Sequence, residues 1–131
     1  MIYTDKEPIQ ILWDMTKTLY TTNKIPIFKE IMHEETEDTP DSYILLRSQI
    51  TDTTRQFGDG KSLIRSADCD IILVTKGYAD DTTDLHNINK KIIRNHLNGQ
   101  GINFDEFNLG YDRELQSTQH TFSLGVDYIG T

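Results

Sequence analysis

Four consecutive residues, Ile71, Ile72, Leu73 and Val74, constrain this chain more than any other stretch. They carry no polar group, three of them are β-branched, and nothing around them has a helical stripe. A run apolar on both of its alternating faces belongs near the centre of a sheet. Residues 63–76 therefore read as a central strand, with Cys69, Ile71 and Leu73 pointing one way. Residues 42–50 read as a second strand, with Ile44, Leu46 and Ile50 on one face and Tyr43, Leu45 and Arg47 on the other. Between the two lies Gly58-Asp59-Gly60, and Asp-Gly is a dipeptide suited to a tight turn with positive φ. The two runs are predicted to form an antiparallel pair joined by a long, protruding hairpin.

The same turn raises a chemical question, because Gly60-Lys61-Ser62 is how a phosphate-binding loop ends. Such a loop needs a glycine five positions before its Gly-Lys, where this chain has Arg55, and it must then enter a helix whose amides complete the anion site. Here the residues after Ser62 read as strand. A hairpin turn is the better reading, and no nucleotide is expected to bind.

Elsewhere the periodicity is mixed. Thr4-Asp5-Lys6-Glu7 has the spacing of a capping box and Pro8 suits a first turn, so a helix is predicted over residues 9–20. Its apolar stripe is read as Ile9, Leu12, Trp13, Thr16, Leu19 and Tyr20. Residues 25–31 form a short strand candidate, with Pro26 near its start or on an edge. A second helix is expected over residues 81–97, opened by Asp80, Asp81 and Asp84 and closed by Asn98-Gly99, with Leu85, Ile88, Ile92 and His96 as its stripe, widened by Ile93 and Leu97. Residues 102–111 and 119–128 complete the set as strands. In the latter, Phe122, Leu124, Val126 and Tyr128 alternate with polar residues, as one buried and one wet face require. At 131 residues the chain suits one domain over positions 1–131. The order α-β-β-β-α-β-β predicts an α+β fold: a mainly antiparallel, mixed sheet with two helices packed on one face and the other face available for a protein interface.

Composition narrows the function classes. A formal charge of −8 argues against phosphate-backbone binding as the main activity. No apolar run nears the roughly 20 residues of a membrane span, and the first residues lack a basic segment followed by an apolar one, so a soluble, cytoplasmic-type product is expected. Cys69, the single cysteine, can form neither an internal disulfide nor a thiolate cluster and is expected to be a buried thiol. His86 and His96 are too far apart for the i, i+4 pair of a zinc site and read as packed or surface histidines. Residues 33–41 hold Glu34, Glu35, Glu37, Asp38 and Asp41 and no apolar residue. This reads as a solvated acidic loop, facing a partner or a DNA passage. A Mg²⁺ or Ca²⁺ site there is the alternative, but the spacing fits no EF-hand and lacks its glycine. No activated nucleophile, metal spacing or complete phosphate loop is present, so neither a cofactor nor turnover is expected.

The order of elements, over residues 9–20, 42–76, 81–97 and 102–128, resembles the tail terminator, or tail-completion, proteins of long-tailed bacteriophages. The resemblance implies a virion protein that forms a ring, usually a hexamer, on the last ring of the tail tube. Such a ring stops tube polymerisation and offers a surface to the head connector, and its acidity suits DNA in transit without adhesion. Its partners would be further copies of itself, the tail tube protein and head connector proteins. The family has no residue motif to carry over. The subunit interface is instead read from the hairpin, where Thr53, Arg55, Gln56 and Phe57 offer polar groups and one aromatic anchor. Phe57 could equally fold back on its own hairpin. A head-side adaptor or stopper of related fold is the rival within this class. An acidic DNA mimic that inhibits a nucleic-acid enzyme is the rival outside it.

Overall fold

The computed structural model describes residues 2–4, 7–29, 40–56, 63–77, 85–114 and 116–129. The fold is α+β, with two helices on one face of a mixed sheet. The strands are β1 (Ile2–Thr4), β2 (Ile27–Lys29), β3 (Ser42–Gln56), β4 (Leu63–Lys76), β5 (Asp105–Asp112) and β6 (Ser117–Ile129). The helices are α1 (Pro8–Thr21) and α2 (Leu85–Gly99). Strand order is β1-β6-β4-β3-β2, with β5 also on β6. β3 and β4 form the expected antiparallel pair, and β4 is antiparallel to β6 from Ile64↔Ile129 to Lys76↔Ser117. The strand of Ile71 to Val74 thus has neighbours on both sides, and all four residues are buried.

β6 lends its outer side to two strands at different heights. β5 pairs antiparallel with residues 117–123, and β1 pairs parallel with residues 127–129. β1 lies outside the expected order, and it displaces the predicted capping box. Thr4 is paired with Ile129 in the ladder, whereas the helix cap is Glu7, extended at φ −70°, ψ 149°, with no side-chain cap bond. Pro8 sits at the first helical turn as expected, where its missing N–H costs nothing.

The register assigns the faces. Even positions of β3 and β6 and odd positions of β4 face the helices and build the main core. Ile44, Leu46, Cys69, Ile71, Leu73, Phe122, Leu124, Val126 and Tyr128 pack there against Ile11, Leu12, Met15, Leu19, Ile93 and Leu97. Phe104 closes on Phe122 edge-to-face at 5.7 Å. The other face is not uniformly open: Tyr43, Ile72 and Val74 are buried there, with Phe28 against Tyr43 at 5.5 Å.

Both helical stripes are turned from their expected settings. α1 buries Ile11, Leu12, Met15, Thr16 and Leu19, while Tyr20 stays exposed. Trp13 only flanks the core, under the Lys29 ammonium at 5.0 Å. Thr16 is tolerated inside because its hydroxyl donates to the Leu12 carbonyl at 2.8 Å. α2 buries His86, Asn89, Ile93 and Leu97, leaving Leu85 and Ile88 exposed. This is a rotation of about 100°, one residue, from the stripe of Leu85, Ile88, Ile92 and His96, and it brings inside the two residues that widened that stripe, Ile93 and Leu97. The cause lies in the sheet, where Ser42 and Thr75 face each other as a buried hydroxyl pair 2.9 Å apart. His86 Nδ1 reaches Thr75 Oγ1, and Asn89 Nδ2 donates to Ser42 Oγ, each at 2.9 Å. These bonds complete the buried hydroxyl pair, and completing a buried polar network outweighs exposing part of a leucine.

α2 ends a little later than Asn98-Gly99 implies. Gly101 takes the left-handed conformation at φ +70°, its N–H donates to the Asn98 carbonyl, and the Ile102 N–H donates to the Leu97 carbonyl. This double bond pattern is a Schellman stop, sealed by Leu97 and Ile102 against the core.

Candidate assembly surface

β5 is the most exposed element among the described residues. Every one of its residues except Gly110 is open to solvent, including Phe107 (52%), Leu109 (60%) and Tyr111 (38%). Among the described strands it pairs with β6 alone, on one side, so its outer row of backbone N–H and C=O groups faces away from β6. An edge of this length carrying large apolar groups is a template for another strand unless something blunts it. A bulge does interrupt it, between Asn108 and Gly110. There Gly110 adopts φ +70°, and its N–H is held by the Asn108 side chain at 3.1 Å.

A charged clamp ties this edge to the helix layer. Arg94 of α2 grips the Glu106 carboxylate through Nε and Nη2, the shortest contact being 2.7 Å. On the other side, buried His120 donates from Nε2 to Glu106 Oε1 at 2.9 Å. Donation to a carboxylate fixes the tautomer, leaving Nδ1 as a buried lone pair with no hydrogen-bond partner among the described residues. Arg94 holds the Glu106 carboxyl below its usual pKa against the opposing effect of burial, with His120 helping. Burial pushes the His120 imidazole below its usual value, and its bond to Glu106 opposes that only in part. The ion pair raises the Arg94 pKa, so the clamp holds a fixed cation, an anion and a neutral imidazole.

On the face away from the helices, a polar row crosses four strands. Arg47 of β3 donates to Asp70 of β4 at 2.9 Å, and Ser123 of β6 donates to the other oxygen of Asp70 at 2.6 Å. Asp105 of β5 pairs with Ser123 in the ladder. Ser66 to Asp127 at 2.7 Å adds a second polar contact. Asp68 lies beside this row and Asp112 at the far end of β5, so the sheet's edge is acidic on this face. Among the described residues no group of three or more His, Cys, Asp or Glu is arranged to hold a metal ion.

The sequence-derived interface residues are only partly placed. Thr53, Arg55 and Gln56 lie towards the end of β3: Thr53 falls in the register irregularity between Ile50 and Thr54, and Thr54, Arg55 and Gln56 oppose Arg65, Ile64 and Leu63 of β4. Phe57 and the acidic residues Glu34, Glu35, Glu37 and Asp38 lie outside the described residues, as does the Gly58-Asp59-Gly60 stretch. β4 begins at Leu63, so Gly60-Lys61-Ser62 leads into a strand and not into the helix a phosphate loop requires. Cys69 is buried within β4. His86 and His96 are both structural, the latter bonded to the Met15 carbonyl at 2.7 Å. The periodicity did not reveal the exposure of β5, since a strand's place at an edge depends on strand order.

No family model, no curated protein and no solved structure matches the chain. No helix among the described residues is long and apolar enough to cross a membrane.

Proposed function

We propose that this chain is a structural virion protein of the tail-terminator kind. Copies of it form a ring, a hexamer by analogy with that family, at the head-proximal end of a phage tail tube. The ring ends polymerisation and presents a surface for head-tail joining. The observation that carries the reading is the combination of a helix-covered sheet, in the order β-α-β-β-β-α-β-β, with a long β3–β4 hairpin and an exposed β5 edge. A protein built for assembly presents open edges and extended arms; an enzyme concentrates reactive groups in a cleft. The net charge of −8 fits a passage that DNA traverses without adhering. The partners are further copies, the tube protein and the head connector, with DNA only in transit.

The test is tube length. Purified protein added to polymerising tube protein should shorten the tubes in negative-stain images and decorate one end with a ring. Unchanged length distributions with bare ends would refute the reading. Inhibition of a nuclease by the same preparation would favour the DNA mimic instead.

A further inference from the structure

α2 is a basic element in an acidic chain: it carries Lys90, Lys91 and Arg94 and no acidic residue. Arg94 is held by Glu106, whereas neither lysine has an ion partner among the described residues. With the seat of the helix set by Ser42 and Thr75, its outward line is Leu85, Ile88, Lys91 and Asn95. Leu85 and Ile88 are 48% and 47% exposed, so two aliphatic side chains followed by an ammonium face solvent. The opposite face of the molecule carries the complement. On the sheet face away from the helices, Phe107, Thr121 and Ile72 form one row across β5, β6 and β4; Asp105, Ser123 and Asp70 form the next, and Gly125 with Asp68 the third. Phe107, Asp105, Asp68 and Gly125 are exposed, and the space where a Cβ would stand on Gly125 is open. A hollow of about 320 Å³ results, lined by Asp68, Asp70, Asp105, Ser123 and Gly125 among others. Arg47 engages Asp70, but Asp68 and Asp105 face no cation among the described residues.

We infer that the outer line of α2 in one copy docks on the far sheet face of the next, Lys91 entering the hollow beside Asp68 and Asp105 while Leu85 and Ile88 cover Phe107. The two surfaces match in order. Along α2 the aliphatic pair leads to the lysine, and along the strands the Phe107 row leads to the aspartate rows. The step from Ile88 to Lys91 is about 4.5 Å on the helix axis, and the step between rows is about 7 Å, a difference that a lysine side chain spans. An apolar contact beside a charge-matched one is the make-up of a specific interface. Like faces do not pair, since α2 against its equivalent sets lysine against lysine, and hollow against hollow sets aspartate against aspartate. The helix line and the hollow lie on opposite sides of one molecule, so they meet only between copies. Repeating that contact is a heterologous, head-to-tail association, which closes into a ring when the rotation between copies divides the circle. The occupant is a second copy of this chain, and in that respect the inference rests on the ring reading above.

Charge exchange tests the contact. Lys91→Glu reverses the helix side, Asp68→Lys with Asp105→Lys reverses the hollow, and Gly125→Leu fills the hollow without changing any charge. In light scattering at rising concentration the wild type should exceed its 15.1 kDa monomer mass. Each of the three variants should stay near that mass while keeping a wild-type far-UV spectrum and thermal midpoint. A chain carrying Lys91→Glu, Asp68→Lys and Asp105→Lys together should assemble again, because both sides are then reversed, and adding Gly125→Leu to it should abolish that recovery. A wild type that remains monomeric throughout overturns the inference, even where it binds tube protein through the same hollow, since the occupant is then the tube and not a copy. Folded variants that assemble as the wild type does overturn it too, as does a triple reversal that stays monomeric. Variants that assemble normally and still cap tubes remove the docking and leave the ring reading intact; variants that respond as expected while the wild type leaves tube length unchanged do the reverse.

Discussion

His120 is bound through one nitrogen and buried at the other, which makes it the residue most exposed to a change of pH. The charged groups facing it are Glu106 from β5 and Lys90 and Arg94 from α2. Protonation would place a donor at Nδ1 where no acceptor waits among the described residues, so folding favours the neutral ring. His120 and Glu106 both bind protons more weakly folded than unfolded, and stability is therefore lost as pH falls. The loss begins near the ordinary histidine value, about 6.5, and a second loss sets in below about 4.3, where free glutamate titrates. Urea midpoints should thus be level above about pH 7 and decline through the histidine range. His120→Gln, which can still donate to Glu106, should remove the upper part of that decline and keep the lower part. A wild-type midpoint that does not move between neutral pH and about pH 5 would contradict this account. A simpler expectation attaches to Leu73, fully buried at the centre of the sheet: Leu73→Ala should cost about 2 to 5 kcal/mol. The check is a lowered urea midpoint at constant slope, and an unchanged midpoint would displace Leu73 from the core.

At the scale of elements, the seat of α2 shows what a sequence can and cannot disclose. Periodicity places the helix, and apolar content points to the wrong face, since hydropathy ranks Leu85 and Ile88 above His86 and Asn89. The true face is dictated by Ser42 and Thr75, partners that lie on two strands, with Ser42 far away in sequence. The network should be cooperative. His86→Leu and Thr75→Val should each destabilise by about 1 to 3 kcal/mol, because each removes a buried hydrogen bond between the same two side chains, and the double variant should cost less than their sum. Strictly additive losses in a double-mutant cycle would show that the contacts are incidental. Strands fared better where one face is buried: the alternation of Phe122, Leu124, Val126 and Tyr128 places β6, and the unbroken run in β4 places the sheet's centre. β1 is three residues long and has no period to detect. The antiparallel pairing of β3 and β4 was legible because it joins sequence neighbours. The exposed edge of β5 was not, because among the described strands it arises when β6 takes β4 on one side and leaves β5 outermost.

For the whole molecule, the proposed assembly would set two electrostatic effects against each other. Each copy carries −8, so bringing copies together is opposed by a repulsion that acts over the entire surface. Ion pairs across a contact between copies attract, but over a few ångströms only. Salt does not screen the two equally. At about 10 mM the screening length is about 30 Å and the net charge is felt across a whole subunit; at about 150 mM it falls to about 8 Å, and the long-range repulsion fades first. Towards about 1 M, with a screening length of about 3 Å, short-range ion pairs weaken as well, leaving the apolar part of the β5 edge to hold a contact between copies. Association should therefore rise from low to moderate salt and fall again, or level off, at high salt. Weight-average mass by light scattering across that series measures it at constant protein concentration. Association that weakens steadily from the lowest salt upward would mean that the short-range pairs outweigh the net charge at every distance. Association that strengthens steadily up to the highest salt would mean that the charged pairs contribute nothing and that burial of Phe107, Leu109 and Tyr111 alone joins the copies.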